Sequence, residues 1–151
     1  ARAVAVSLAL AGLKELTIIN RNLEKAATLA GQAEKLGMKV QIRSWSLEEE
    51  QDFKELFRDS ALIVNTTPLG MSPQEEACPP IKEAWLHSRQ LVVDLIYRPR
   101  ETVFLGKAKA AGCQTLNGLS MLLEQGVLSF QRWAGKPAPV EIMARELERW
   151  V

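Results

Sequence analysis

The sequence predicts an α/β fold of the doubly wound kind with a mostly parallel sheet. Two observations carry this prediction. Short apolar runs alternate along the chain with stretches whose apolar residues recur at helical spacing, and Gly or Pro punctuates most of the boundaries. Strands separated by helices pair in parallel through right-handed crossovers, which gives layers of helix on sheet.

The elements follow in order. The opening ARAVAVSLALAGL is apolar with one Arg, as a signal peptide would be, yet it runs directly into a strand-like segment. It reads as a helix in a chain whose beginning is missing. LTIIN (16–20) is a short buried strand, and Leu23, Ala26, Ala27, Ala30, Ala33 and Leu36 then mark one face of a helix that Gly37 ends. KVQIRSW (39–45) is the second strand. Ser46 caps the next helix, LEEEQDFKELFR, which has acidic residues first and basic residues last, as its dipole prefers. ALIVNTT (61–67) is the third strand, broken by Pro68 and Gly70. A loop with Pro73, Pro79 and Pro80 leads to a short helix over 81–87. LVVDLIY (91–97) is the fourth strand, 101–111 a helix closed by Gly112, and CQTLN (113–117) a last short strand. Helices over 118–134 and 140–150 finish the chain, separated by Gly135-Lys136-Pro137.

Composition narrows the function classes. The 151 residues carry 19 Lys and Arg against 18 Asp and Glu, a formal net charge of +1. That balance lacks the basic excess that a nucleic-acid or membrane-surface partner selects, so neither is expected. No apolar run reaches the ~20 residues that a membrane-spanning helix needs. Cys78, Cys113 and His87 are too few and too scattered for a zinc site, and no metal is expected. The cysteines suggest no disulfide, and a reducing, cytoplasmic compartment is the simpler expectation. His87 lies in the polar stretch LHSRQ and reads as a solvated helix-end residue.

A dinucleotide-binding, Rossmann-like sheet opens with a strand, a glycine-rich loop and a helix. This sequence begins inside what would be that helix, so the first strand and its glycine loop are lacking. In the strand order 3-2-1-4-5-6 the absent strand is the central one, and LTIIN and ALIVNTT would otherwise flank an empty slot. The 151 residues are therefore expected to be part of a longer polypeptide, the alternative being that something else fills the slot.

Four places could carry chemistry. Asn20, Arg21 and Asn22 end the first strand, with Lys25 one helical turn beyond Arg21. A strand end of this kind faces the adenosine ribose, where an acid suits NAD and a base suits the 2′-phosphate of NADP. Asn20 stands where the acid would be, and Arg21 with Lys25 either clamps a phosphate or is a solvated pair at a capped helix start. Thr66, Thr67 and Pro68 lie at the carboxyl end of a strand, as a ligand loop or as a tight turn. Asp94 is a carboxylate in an otherwise apolar strand and needs donors; Tyr97, just past that strand, orients a polar substrate or covers the sheet end. Gly118, Met121 and Gln125 share one helix face, with Leu119, Leu122, Leu123, Val127, Phe130 and Trp133 on the rest of the apolar surface. Gln125 there either meets a polar ligand or points to solvent.

Taken together, NRN with Lys25, VNTTPLGM, VVDLIYRPRETVFL and NGLSMLLEQGVLSFQRWAG resemble the shikimate dehydrogenase family, in its order and at its spacings, over essentially the whole chain. The resemblance implies a carboxyl-terminal NADP-binding domain over 1–151, incomplete at its start, with the substrate-binding and catalytic amino-terminal domain absent. Asn20, Arg21 and Lys25 would form the 2′-phosphate clamp, Lys25 replacing a frequent Arg. Thr66, Thr67 and Pro68 would pass the ribose and pyrophosphate. Leu95, where a Met often lies, would join Gly118 and Met121 at the nicotinamide, and Tyr97 and Gln125 would reach the substrate. The family's catalytic Lys and Asp belong to the amino-terminal domain, so no catalytic residue is expected here.

The implied reaction is reversible reduction of 3-dehydroshikimate to shikimate by NADPH, in aromatic amino-acid and chorismate biosynthesis. This chain alone would be inactive, and a homodimer is one assembly the resemblance allows. Two alternatives stand beside it: a quinate/shikimate dehydrogenase that uses NAD as well, and a non-catalytic nucleotide-binding module of the same fold.

Overall fold

The computed structural model describes residues 1–45 and 50–150. Its contacts divide the chain into two units, Ala1–Lys54 and Glu55–Val151.

In the first unit, α1 (Arg2–Leu10), β1 (Glu15–Ile19), α2 (Leu23–Glu34) and β2 (Lys39–Arg43) alternate as expected. Gly12 and Gly37 turn the chain out of the two helices at φ of 92° and 85°, a conformation in which any Cβ is strained. β1 and β2 pair in parallel, from Glu15 opposite Lys39 to Ile19 opposite Arg43. Ala26, Ala30 and Ala33 form the buried stripe of α2. Small side chains let the helix lie close on the sheet, where Ala26 and Ala30 join Ile18, with Leu16, Val40 and Ile42 around them. Three residues of the expected apolar face are instead exposed: Leu23, Ala27 and Leu36. Leu23 is the first helical residue, Ala27 is rotated ~100° from the Ala26 stripe, and Leu36 lies beyond the helix in the turn.

α3 (Glu50–Asp59) contains the division between the units. Phe53 stacks on Trp45 within the first, ring centroids 4.4 Å apart, and Phe57 on Trp85 within the second at 5.8 Å. The cap expected at Ser46 lies outside the described residues.

The second unit holds β3 (Leu62–Asn65), β4 (Leu91–Asp94), α4 (Val103–Ala110), β5 (Gln114–Leu116), α5 (Leu119–Ala134) and α6 (Val140–Arg149). The sheet order is β3-β4-β5 and every ladder is parallel. α4 packs on β4 and β5 with Phe104, Leu105 and Ala108 buried. The neighbours are those that the order 3-2-1-4-5-6 gives to its second and third strands, and to its fourth, fifth and sixth. Among the described residues, β1 and β3 each keep one edge without a ladder partner.

Several expectations need correction, among them the second strand, expected to 45, which ends at Arg43. β3 and β4 stop at Asn65 and Asp94, short of the predicted 67 and 97, because each of these side chains accepts from the backbone N–H two residues on and turns the chain. The helix expected over 81–87 is a 3-10 turn, Glu83–Trp85. It cannot lengthen, since Leu86 is already extended and the His87 N–H is taken by Gln90 Oε1 at 2.8 Å. His87 is half-buried rather than solvated. Its Nδ1 accepts from Arg89 N at 3.3 Å, which leaves Nε2 as the donor to Arg58 O at 2.8 Å. Trp133, placed in the apolar surface of its helix, is 86% exposed, near the end of α5 beyond the buried Val127.

Both cysteines are free. No helix among the described residues is long and apolar enough to cross a membrane.

Candidate functional site

In the first unit, the exit from β1 is shaped by two asparagines acting in sequence. Asn20 Oδ1 accepts from Asn22 N at 3.0 Å, and Asn22 Oδ1 caps α2 by accepting from Lys25 N at 2.9 Å. Asn20 therefore uses its oxygen to build the turn and keeps its amide nitrogen as a donor. Arg21 projects from this turn and Lys25 from the third position of the helix, both exposed. Neither makes an ion pair among the described residues. The third position of a capped helix favours Glu or Gln, and a cation beside the positive end of the dipole is locally unfavourable. Two cations held there against local preference are suited to an anion, as are the free N–H groups of the helix start. The turn and the cap were legible as alternatives to a clamp; the structure shows the cap, built by residues that leave both cations free.

In the second unit, the exit from β3 is a closed hydrogen-bond circuit. Asn65 Oδ1 accepts from Thr67 N at 3.0 Å and from Thr67 Oγ1 at 2.7 Å, and Leu69 N donates to Thr67 Oγ1 at 3.3 Å. Thr67 and Pro68 are exposed and Thr66 half-buried. The hydroxyl of Thr67 is thus committed to the turn. Gly70, at φ 99°, closes the loop against Thr102 and the Ala77 carbonyl.

Asp94 is fully buried, and the donors it needs are all present. Asn65 Nδ2 and Ile96 N each donate to Oδ1 at 3.1 Å, and Thr102 Oγ1 donates to Oδ2 at 2.7 Å. Three such bonds to a charged acceptor, at about 1.5–3 kcal/mol each, offset the several kcal/mol that burying a carboxylate costs.

Gly118, at the start of α5, donates to the Ile96 carbonyl at 3.0 Å. A Cβ on it would overlap the Leu95 carbonyl oxygen. Leu95 and Gly118 are thereby brought into direct contact, and Leu95 N also donates to Asn65 O at 3.2 Å. Asn117 holds the other side of this junction: its Oδ1 accepts from Leu119 N at 3.1 Å and its Nδ2 donates to Arg100 O at 3.0 Å. Tyr97, Met121 and Gln125 are exposed. Tyr97 and Gln125 have no hydrogen bond to each other among the described residues.

Sequence reasoning did not single out Asn117 or the partners of Asp94. The signal was present: Asn65 and Asp94 are the last residues of their strands, Asn20 and Asn117 directly follow theirs, and each accepts from the N–H two residues on. Both thiols are held toward their protonated form. Burial pushes both Cys78 and Cys113 above their ordinary value, against the opposing pull of Lys107 on Cys78. Among the described residues no cluster of His, Cys, Asp or Glu could hold a metal.

The chain is similar to known proteins. A family model described as the Shikimate 5′-dehydrogenase C-terminal domain matches residues 118–148. The shikimate dehydrogenase (NADP(+)) of Desulforamulus reducens is 43% identical over the whole chain, which covers 51% of that protein. Shikimate 5-dehydrogenase from Listeria monocytogenes, solved in complex with shikimate and NAD, superposes with a TM-score of 0.86 at 31% identity, over 96% of this chain and 51% of its own. Ligand-free 5-ketofructose reductase of Gluconobacter sp. strain CHM43 does so at 0.81 and 35% identity, over 99% and 52%. The chain spans about half the length of the curated relatives it matches. In sequence across the whole chain, and in the arrangement of its parallel strands and helices, the chain is similar to about half the length of these shikimate dehydrogenases.

Proposed function

We propose that this chain is the NADP-binding part of an enzyme that reversibly reduces 3-dehydroshikimate to shikimate. The observation that carries the reading is the exit from β1, where Arg21 and Lys25 stand exposed at a helix start and Asn20 replaces the acid that would bond an NAD ribose. Relatives named as shikimate dehydrogenases (NADP(+)) support it. The same residues count against an NAD-using quinate/shikimate dehydrogenase, because a cationic turn gains most from the additional phosphate of NADP.

The residues of each unit fit the cofactor. In the first unit, Arg21 and Lys25 hold the 2′-phosphate and the Asn20 amide donates beside the ribose. In the second, Thr66, Thr67 and Pro68 bound the ribose and pyrophosphate, while Leu95, Gly118 and Met121 lie toward the nicotinamide. A side chain at position 118 would be excluded by the Leu95 carbonyl, so the start of α5 and the segment after β4 stay in direct contact. When bound, the cofactor supplies the hydride. Tyr97 and Gln125, with free polar groups, reach the substrate's hydroxyls and carboxylate and hold its carbon in register. The proton donor for the ketone is assigned to an amino-terminal domain, the partner this reading requires. The reading places the enzyme in the cytoplasm, in aromatic amino-acid and chorismate biosynthesis.

Calorimetric titration of the chain with NADP+ and with NAD+ tests this. Selective binding of NADP+ is the expected result; equal affinity for the two cofactors would overturn the clamp. A non-catalytic module remains distinct from the enzyme by one outcome: reduction of 3-dehydroshikimate on mixing with a separate amino-terminal domain occurs only for the enzyme.

A further inference from the structure

The Asp94 carboxylate joins three points of the second unit that lie 29, two and eight residues from it in sequence. Asn65, 29 residues away, opens the turn that carries Thr66, Thr67 and Pro68. Ile96 lies between Leu95 and Tyr97. Thr102, eight residues on, caps α4, its Oγ1 accepting from Leu105 N at 3.3 Å while donating to Asp94. The sense of the Asn65 amide follows from its backbone partners: Thr67 N–H donates to its oxygen, so its NH2 faces the Leu69 carbonyl, 3.3 Å away, and Asp94 Oδ1. Asn65 and Asp94 are register partners on adjacent strands, so the contact crosses the sheet at its carboxyl edge.

We propose that Asp94 is a positioning residue: through Asn65 and the Ile96 N–H its carboxylate helps set the backbone of both 66–68 and 95–97, the segments assigned to the cofactor and, at Tyr97, to the substrate. Both segments lie beyond the ends of their strands. Backbone bonds from Leu95 N to Asn65 O and from Gly118 N to Ile96 O hold part of the second. The Asn65 and Asp94 side chains add the turn bonds to Thr67 N and Ile96 N. The geometric half of this statement stands on the hydrogen bonds; the cofactor half rests on the reading given under Proposed function.

The test uses the full chain with Asp94→Asn, which keeps the shape and removes the charge. Thr102→Val, which deletes the donor to Oδ2, serves should the first variant fail to fold, and Thr102→Ser restores the hydroxyl. Hydrogen exchange is read by NMR at the Thr67 and Ile96 amides, with the Ala26 amide of α2 as control. Binding is measured for NADP+ and for adenosine 2′,5′-bisphosphate, which lacks the nicotinamide half. The expected result is exchange roughly 10-fold faster at Thr67 and Ile96 but unchanged at Ala26, and NADP+ binding roughly 10-fold weaker with the bisphosphate unaffected. Thr102→Ser should behave as wild type.

Unchanged exchange at Thr67 and Ile96, or equal acceleration at Ala26, overturns the positioning role. A wild-type chain that binds neither nucleotide overturns the cofactor reading instead, and the exchange pattern then decides the role of Asp94 independently.

Discussion

Gly118 lies so close to Leu95 that a Cβ at position 118 would come within 2.5 Å of the Leu95 carbonyl carbon and overlap its oxygen. At φ −74° the glycine is in ordinary helical backbone, so space rather than conformation excludes a side chain. Gly118→Ala must move either the start of α5 or the segment after β4. The expected cost is about 1–3 kcal/mol, as for other overpacked sites, read as a lower midpoint in urea unfolding. An unchanged midpoint would disprove the close approach.

Arg21→Ala should weaken NADP+ binding by roughly 10- to 100-fold, the worth of a charge-assisted contact, and leave NAD+ nearly unaffected. Asn22→Ala is the useful comparison. It removes the cap of α2 at a cost of about 1 kcal/mol, seen as a lower melting temperature, while the preference between the two cofactors is expected to persist. Equal losses for NADP+ and NAD+ in Arg21→Ala would refute a 2′-phosphate clamp.

Cys113 gives the fold an alkaline sensitivity. Its thiol is buried, donates to the His87 carbonyl at 3.2 Å, and is raised above its ordinary 9.0 chiefly by burial, with backbone hydrogen bonds pulling the other way. The folded chain therefore keeps this proton to higher pH than the unfolded chain. The stabilisation is complete below the unfolded value and is lost as pH rises through the raised one. Urea midpoints measured across and above that ordinary value should fall with pH for the wild type and fall less for Cys113→Ala. Superimposable profiles would remove Cys113 from the account.

Much of this architecture is legible in the residues themselves. The alternation of LTIIN, ALIVNTT and LVVDLIY with helical stretches predicts parallel strands, and the ladders are parallel. Alanines at 26, 30 and 33 mark the buried face of α2 because their spacing alone brings them to one side. Strand ends are less legible. LVVDLIY is apolar to Tyr97, so periodicity extends the strand, whereas Asp94 turns the chain by accepting from Ile96 N. The exposure of Trp133 has the same origin: helical spacing places it on a stripe, but a stripe is buried only as far along the helix as something covers it.

Element order, the parallel class and the cationic turn at residues 20–25 were determined by the sequence alone, because periodicity, glycine punctuation and capping act over a few neighbouring residues. Only the tertiary structure decided that Asp94 would be satisfied by Asn65 and Thr102, that Gly118 would lie on the Leu95 peptide, and that His87 would brace Arg58 instead of facing water. Those contacts join residues 8 to 29 positions apart. Their distances follow from how strands register and how helices approach them, which no local pattern encodes.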